Sequence, residues 1–235
     1  MTDQVKTISI IPARGGSKGL PGKNLKELGG RPLIGWTVEA SLNCPEIDRT
    51  IVSTDDEEIA AVAREWGAET PFLRPSELGT DLASTEGVLK HAVEWLDREE
   101  GYRTDIVVFL QPTDIFRKQS WLSEVVLKLI DDPNLESCFV GWDTYKNYWQ
   151  IEEERFTHLS HRGYGPRQTK SVVIREDTGL ACATRADLVR DGRRIGDNVH
   201  IIRNDDLITG IDIQYPFDLW LAEKVISEWG RKPND

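Results

Sequence analysis

The chain has 235 residues, with 29 Lys+Arg against 40 Asp+Glu and a formal net charge of −11. That length fits one α/β domain or a domain with a small insertion, and the acidic balance argues against general affinity for nucleic acid or an anionic membrane. Three cysteines, Cys44, Cys138 and Cys182, form no C-x-x-C pair, which suits a reducing cytoplasm and argues against a disulfide framework or structural zinc.

The first six residues are polar and do not resemble a signal peptide. No run approaches the ~18 apolar residues of a membrane span. Residues 7–11 form a short apolar run that predicts a buried first strand. Residues 33–42 predict a helix and 50–53 a short strand. Asp55 is expected to cap the next helix, with Glu58 completing a capping box and Gly67 ending it. Residues 70–72 predict a short parallel strand, and 74–84 a loop.

From 85 to 100, Leu89, Ala92, Val93 and Leu96 recur at helical spacing. Residues 106–110 (I-V-V-F-L) predict a central strand buried on both faces. Leu122, Val125, Val126 and Leu129 mark another helix, and 137–140 another strand. From 141 to 175 the alternation breaks into an aromatic and polar stretch with Trp142, Tyr145, Tyr148, Trp149, Phe156 and Tyr164. Irregular stretches of that length in compact domains serve function or an interface. Short strands are expected at 172–174, 180–183 and 199–202, and a closing helix over 217–229. The alternation implies an α/β fold with a doubly wound, mostly parallel sheet and right-handed crossovers. Ligands in such sheets bind at the carboxyl ends of strands.

The segment after the first strand carries the strongest chemical signal. Residues 10–24 (I-I-P-A-R-G-G-S-K-G-L-P-G-K-N) hold four glycines, two prolines and the cations Arg14, Lys18 and Lys23. Glycines let the backbone approach a ligand and turn its N–H groups inward, and the cations neutralise a polyanion. A nucleoside triphosphate site at the end of strand one follows. A P-loop does not fit: Ser17 stands five residues before Gly22, and Asn24 replaces the required Ser or Thr. No G-x-G-x-x-G triplet exists either.

The pattern I-P-A-R-G-G-S-K-G-x-P-x-K-N resembles the signature of the CMP-sialic acid synthetases, the acylneuraminate cytidylyltransferase family. The resemblance implies a Rossmann-like nucleotidyltransferase fold that transfers CMP from CTP to a sugar acid and releases pyrophosphate. It implies one cytidylyltransferase domain over 1–235, with 141–204 an inserted subdomain that covers the acceptor and meets a second subunit. Ala13, Arg14, Gly15, Gly16, Lys18, Lys23 and Asn24 would hold the nucleotide, with Arg14 and Lys23 along the triphosphate. Residues 74–81 (R-P-S-E-L-G-T-D) resemble the family loop whose arginine, here Arg74, recognises cytosine. A guanidinium fork suits a pyrimidine carbonyl and ring nitrogen. Asp81 caps or braces that loop, and Thr85 either touches the nucleotide or starts a helix.

Residues 110–117 (L-Q-P-T-D-I-F-R) resemble the family's L-Q-P-T-S-P-L-R, departing at Asp114, Ile115 and Phe116. Gln111 would hydrogen-bond the acceptor. Residues 211–219 (I-D-I-Q-Y-P-F-D-L) resemble I-D-I-D-T-x-x-D-L, whose first two aspartates bind magnesium. Asp212 matches the first, while Gln214 replaces the second. Asp114 is the carboxylate expected to take over part of the Mg2+ role, and Asp218 is expected to cap the last helix.

Lys146, Arg167, Gln168 and Arg194 are the remaining acceptor candidates; Arg193 and Arg194 are equally compatible with a solvated turn. Thr178 and Cys182 depart from the family's acceptor segment, and Cys182 is read as a small buried residue rather than a nucleophile. The histidines show no zinc-like spacing. The expected function is CMP transfer from CTP to a small anionic acceptor, a nonulosonic acid or alternatively a phosphonate, by a cytoplasmic homodimer using Mg2+. A nucleotide-binding module without turnover is the competing class.

Overall fold

The computed structural model describes residues 5–159 and 166–235. Strand β1 (Thr7–Pro12) runs into the glycine-rich loop, which ends in a single 3-10 turn over Lys23–Leu25. A two-residue hairpin, β2 (Glu27–Leu28) and β3 (Arg31–Pro32), leads into α1 (Leu33–Leu42). The chain continues through β4 (Arg49–Ser53), α2 (Glu57–Glu65), α3 (Thr85–Glu100), β5 (Ile106–Phe109) and α4 (Gln119–Asp131). Beyond it come β6 (Ser137–Thr144), β7 (Trp149–Glu152), β8 (Arg155–His158), β9 (Val173–Glu176), β10 (Cys182–Arg185), α5 (Ala186–Arg190), β11 (Val199–Asn204) and α6 (Pro216–Trp229).

The central sheet has the order β11-β6-β10-β5-β1-β4, with β9 paired to β6. The pairs β1–β4, β1–β5 and β6–β11 are parallel. Strand β10 lies antiparallel between β5 and β6, and β9 is antiparallel to β6. Both faces are covered, as the near-continuous apolar runs of β1 and β5 require. Helices α1, α2 and α4 bury Ile34, Val38, Ile59, Ala63, Leu122 and Val126 against one face. Helices α3 and α5 bury Leu89, Val93, Leu96 and Val189 against the other. Each of these valine, leucine and isoleucine side chains contributes about 1.5–3 kcal/mol when fully buried. A third cluster joins α6 to Leu28, Leu33, Ile115, Phe116 and Ile213. The sheet is thus the expected doubly wound, mostly parallel one.

Two local expectations are corrected. Asp56, not Asp55, caps α2: its Oδ1 accepts from the N–H groups of Glu58 (2.9 Å) and Ile59 (3.1 Å). Residues 70–72 form no strand; parallel pairing there is confined to a bridge between Ile51 and Glu69. The short helix α5 had no signal in the periodicity. Asp218 does close the start of α6, accepting from the N–H groups of Gln214 (2.9 Å) and Tyr215 (2.8 Å). Within 141–204 the hairpin β7–β8 forms a sheet of its own, whereas β9, β10 and β11 join the central sheet. His161 and Tyr164 lie outside the described residues. Among the described residues no helix is long and apolar enough to cross a membrane.

Candidate active site

The carboxyl ends of β1 and β5 open on two cavities. The first, about 270 Å3, is lined by Arg14, Lys23 and Asn24 from the glycine-rich loop, by Arg74, Ser84 and Thr85 from the segment leading into α3, and by Gln111 and Thr113 beyond β5. The second, about 260 Å3, is lined by Gln111, Asp114, Arg175, Glu176, Asp177, Thr178, Gly179, Thr209, Gly210 and Asp212. Gln111 belongs to both.

The first cavity is cationic. Arg14 reaches Asp81 at 2.6 Å, and Lys18, mostly exposed, pairs with the same carboxylate. Those two partners hold Asp81 below the usual carboxylate range. Asp81 therefore braces the glycine-rich loop rather than the helix behind it. Asn24 is buried and donates to the Arg14 carbonyl (3.0 Å), fixing the loop backbone. Ala13 is buried and extends the β1–β4 pairing through its N–H to the Ser53 carbonyl (2.9 Å). Burial lowers the Lys23 ammonium pKa and Arg14 adds to that, while Asp212 opposes it. Gly16, Gly15 and Lys18 sit on the same loop outside the cavity lining; the Gly15 N–H is turned to Asp55 Oδ1 (3.1 Å).

Arg74 stands in the opposite wall and is only 5% exposed. Its Nη2 donates to Asp55 Oδ1 at 3.1 Å, and its buried Nε has no hydrogen-bond partner among the described residues. Desolvation lowers its pKa and Asp55 opposes that. Thr113 Oγ1 is likewise buried without a partner among the described residues. Unpaired buried polar groups cost about 1–3 kcal/mol each, so the wall of the first cavity is held at some expense in stability.

Arg117 positions the junction. It is fully buried and donates to the carbonyls of Leu180 (2.9 Å), Gln111 (2.7 Å) and Gly179 (3.2 Å) and to Thr37 Oγ1 (3.0 Å). Burial lowers its pKa to about 10, with Asp114 opposing. The Gln111 N–H returns a bond to the Gly179 carbonyl at 2.9 Å. The approach there is so close that a Cβ on Gly179 would overlap Asp114 Oδ2 and lie 2.6 Å from Gln111 Oε1.

The second cavity is acidic. Burial raises the Asp114 pKa to about 8, with the Asp212 charge adding and Arg117 opposing. Asp212 in turn accepts from Gln214 Nε2 at both oxygens (2.8 Å each), and Gln214 Oε1 accepts from Lys23 Nζ (2.7 Å). The amide thus links Lys23 of the first cavity to a carboxylate of the second. Among the described residues no cluster of three or more His, Cys, Asp or Glu side chains could hold a metal. The pair Asp114 and Asp212 does fit one Mg2+, which binds through one or two carboxylates plus substrate phosphates, and whose charge would relieve their repulsion.

Of the other acceptor candidates, Arg194 lies beside the second cavity, paired with Glu176 (3.0 Å) and Glu86 (3.4 Å). Arg193 pairs with Asp197 (3.0 Å) on an exposed turn. Lys146 is exposed and lines neither cavity; Gln168 is exposed in a 3-10 turn over Arg167–Thr169 and lines neither, and the side chain of Arg167 lies outside the described residues. Cys182 is buried, its thiol pushed up to about 12 by desolvation, as befits an inert core residue. Sequence reasoning missed Asp55, misread as a cap, and Thr113. It also gave no role to Arg117 or Glu176, and placed Asp177 only within the acceptor segment 177–182.

A model of the cytidylyltransferase family matches residues 8–159. The chain belongs to the cytidylyltransferase family. Within it, a pseudaminic acid cytidylyltransferase of Campylobacter jejuni is 44% identical over 95 residues, 40% of this chain and 41% of that one. An N-acylneuraminate cytidylyltransferase of Escherichia coli is 42% identical over 138 residues, 59% and 31% of the two chains. A CMP-N,N'-diacetyllegionaminic acid synthase of Legionella pneumophila is 40% identical over 124 residues, 52% of each. The matches thus span about half or less of these relatives' lengths. Among solved structures, a CMP:2-keto-3-deoxy-manno-octonic acid synthetase complexed with CTP superposes with a TM-score of 0.73 at 18% identity, covering 95% of this chain and 99% of that one. That likeness establishes the nucleotidyltransferase fold.

Proposed function

We propose that this cytidylyltransferase family member transfers CMP from CTP to a nonulosonic acid and releases pyrophosphate. The observation that carries the reading is a cationic cavity and an acidic cavity meeting at Gln111, with the triphosphate-side lysine linked through Gln214 to Asp212. CTP would lie with its phosphates along Arg14 and Lys23 and its base toward Arg74. The acceptor would enter the second cavity, and its hydroxyl oxygen would approach the α-phosphorus past Gln111. The bond from α-phosphorus to the bridging oxygen then breaks, and Arg14 and Lys23 stabilise the departing charge. Such transfers depend on positioning and electrostatics rather than a protein nucleophile. Mg2+ bound by Asp212 and Asp114 would neutralise phosphate charge and lower the pKa of a bound hydroxyl.

The second cavity carries Asp114, Glu176, Asp177 and Asp212 against one lining cation, Arg175, which is itself bound by Asp177 (2.8 Å). That balance favours a polyhydroxylated sugar acid over a doubly charged phosphonate. Release of pyrophosphate from CTP, Mg2+ and a panel of nonulosonic acids and phosphonates tests the reading. Turnover with a nonulosonic acid is expected. Turnover with phosphonates alone would replace the acceptor. CTP binding without turnover across the panel would support a binding module, the reading that Gln214 favours. Homodimerisation through 141–204 is part of the proposal, supported by the exposed Trp149, Ile151 and Phe156 of the hairpin. A reducing cytoplasmic setting is supported by three buried free thiols.

A further inference from the structure

Arg74 can read a base only if its guanidinium is held at a fixed angle, and one side chain does the holding. Asp55 Oδ1 accepts from Arg74 Nη2 and from the Gly15 N–H, both at 3.1 Å. The Arg74 backbone is fixed as well, its N–H donating to the Thr54 carbonyl at 2.7 Å. Residue 79 comes so close that a Cβ there would overlap Asp55 Oδ2, so Gly79 leaves the carboxylate the space it occupies. Arg74 lines the first cavity with Nη2 committed to Asp55, so the rest of its guanidinium meets a ligand at an angle that Asp55 sets.

We propose that Asp55 is a positioning residue for base selection: one carboxylate oxygen ties the phosphate loop to the base-reading arginine. The inference rests on the CTP reading of the first cavity. Cytosine offers acceptors at O2 and N3, whereas uracil offers O2 and a donating N3–H. A guanidinium edge held toward the ring therefore rewards cytosine and meets a donor in uracil. Sites built around a hydrogen bond reject analogues that lack it far more strongly than apolar pockets do. If the guanidinium is free to turn, it follows whichever acceptor is present and that discrimination fades. The same carboxylate senses the loop that wraps the triphosphate, so the two halves of the nucleotide are recognised through a shared support.

The test is Asp55→Asn, whose carbonyl still accepts from Gly15 but which loses the charge that fixes Arg74. Dissociation constants for CTP, UTP and inorganic tripolyphosphate are measured by calorimetry on the full chain. The CTP-over-UTP preference is expected to fall about tenfold or more, the size of one hydrogen bond to a charged group, with tripolyphosphate affinity changing less than about threefold. Gly79→Ala, which crowds Asp55 without altering charge, should reproduce the loss of preference, and it serves if Asp55→Asn fails to fold. Asp55→Asn added to Arg74→Lys should cost no further preference. A folded Asp55→Asn or Gly79→Ala protein with wild-type CTP-over-UTP preference overturns the inference and leaves the CTP reading intact. A wild-type protein without any CTP preference overturns both.

Discussion

Replacing Asp114 by asparagine should flatten the pH dependence of stability in the metal-free protein. In the folded chain burial and the facing Asp212 charge raise the Asp114 pKa to about 8, from 3.8 for a free side chain. Between those values the folded state holds a proton that the unfolded state has released. Stability therefore falls as pH rises through that window, and the contribution is lost entirely above the folded value. The slope for one group is about 1.4 kcal/mol per pH unit, so Asp114 accounts for about 2.7 kcal/mol between pH 5 and pH 7. Asparagine keeps the shape and cannot titrate. Urea unfolding of both proteins in chelator, at several pH values from 5 to 8, should give curves that diverge by that amount, with the variant the more stable at the alkaline end. Parallel curves would refute the reasoning. Added Mg2+ should stabilise the wild type at pH 8 and stabilise the variant much less.

Gly179→Ala places a methyl group against Asp114 and Gln111 at the meeting point of the two cavities; steady-state kinetics should show a higher acceptor KM with CTP binding by calorimetry unchanged. Arg117→Lys cannot reproduce four donations from a planar fork; chemical denaturation should show a loss of about 3 kcal/mol. Asp81→Asn frees Arg14 and Lys18 from an exposed ion pair. Tripolyphosphate should then bind about two- to fivefold more tightly at low salt, a gain that fades as ionic strength rises.

The long elements were legible: α3 falls where its apolar spacing put it because it buries one stripe, and α1 falls over the mostly apolar run 33–42 because it is buried around most of its circumference. The glycine-rich loop was legible from composition as the segment closing the end of β1, and Arg14 and Lys23 do line the first cavity, whereas Lys18 stays outside it and pairs with Asp81. What was lost depends on contacts distant in sequence. Asp55 and Asp56 are equivalent as helix caps on paper, and the choice is made by Arg74 and Gly15, which claim Asp55. Arg117 carries no local sign that it will be fully buried, because its partners lie in the segments around Thr37, Gln111 and Gly179. The run 70–72 places Pro71, which has no N–H to donate, between Thr70 and Phe72, and the sheet edge beside β4 pairs only through Glu69.

Strand β10 has a consequence for exchanging parts among relatives. It runs antiparallel in mid-sheet and alone joins β6 and β11 to β5. The turn just before it, at Asp177–Gly179, walls the acidic cavity. A graft that ended at residue 159, where the family match ends, would transplant β6 without the strand that ties it to the rest of the sheet. Chimeras meant to change the acceptor should instead carry residues 136–204 as one block, so that the new wall arrives with its own support. On the proposed reading, the architecture makes acceptor choice a property of the sheet itself rather than of a detachable cassette.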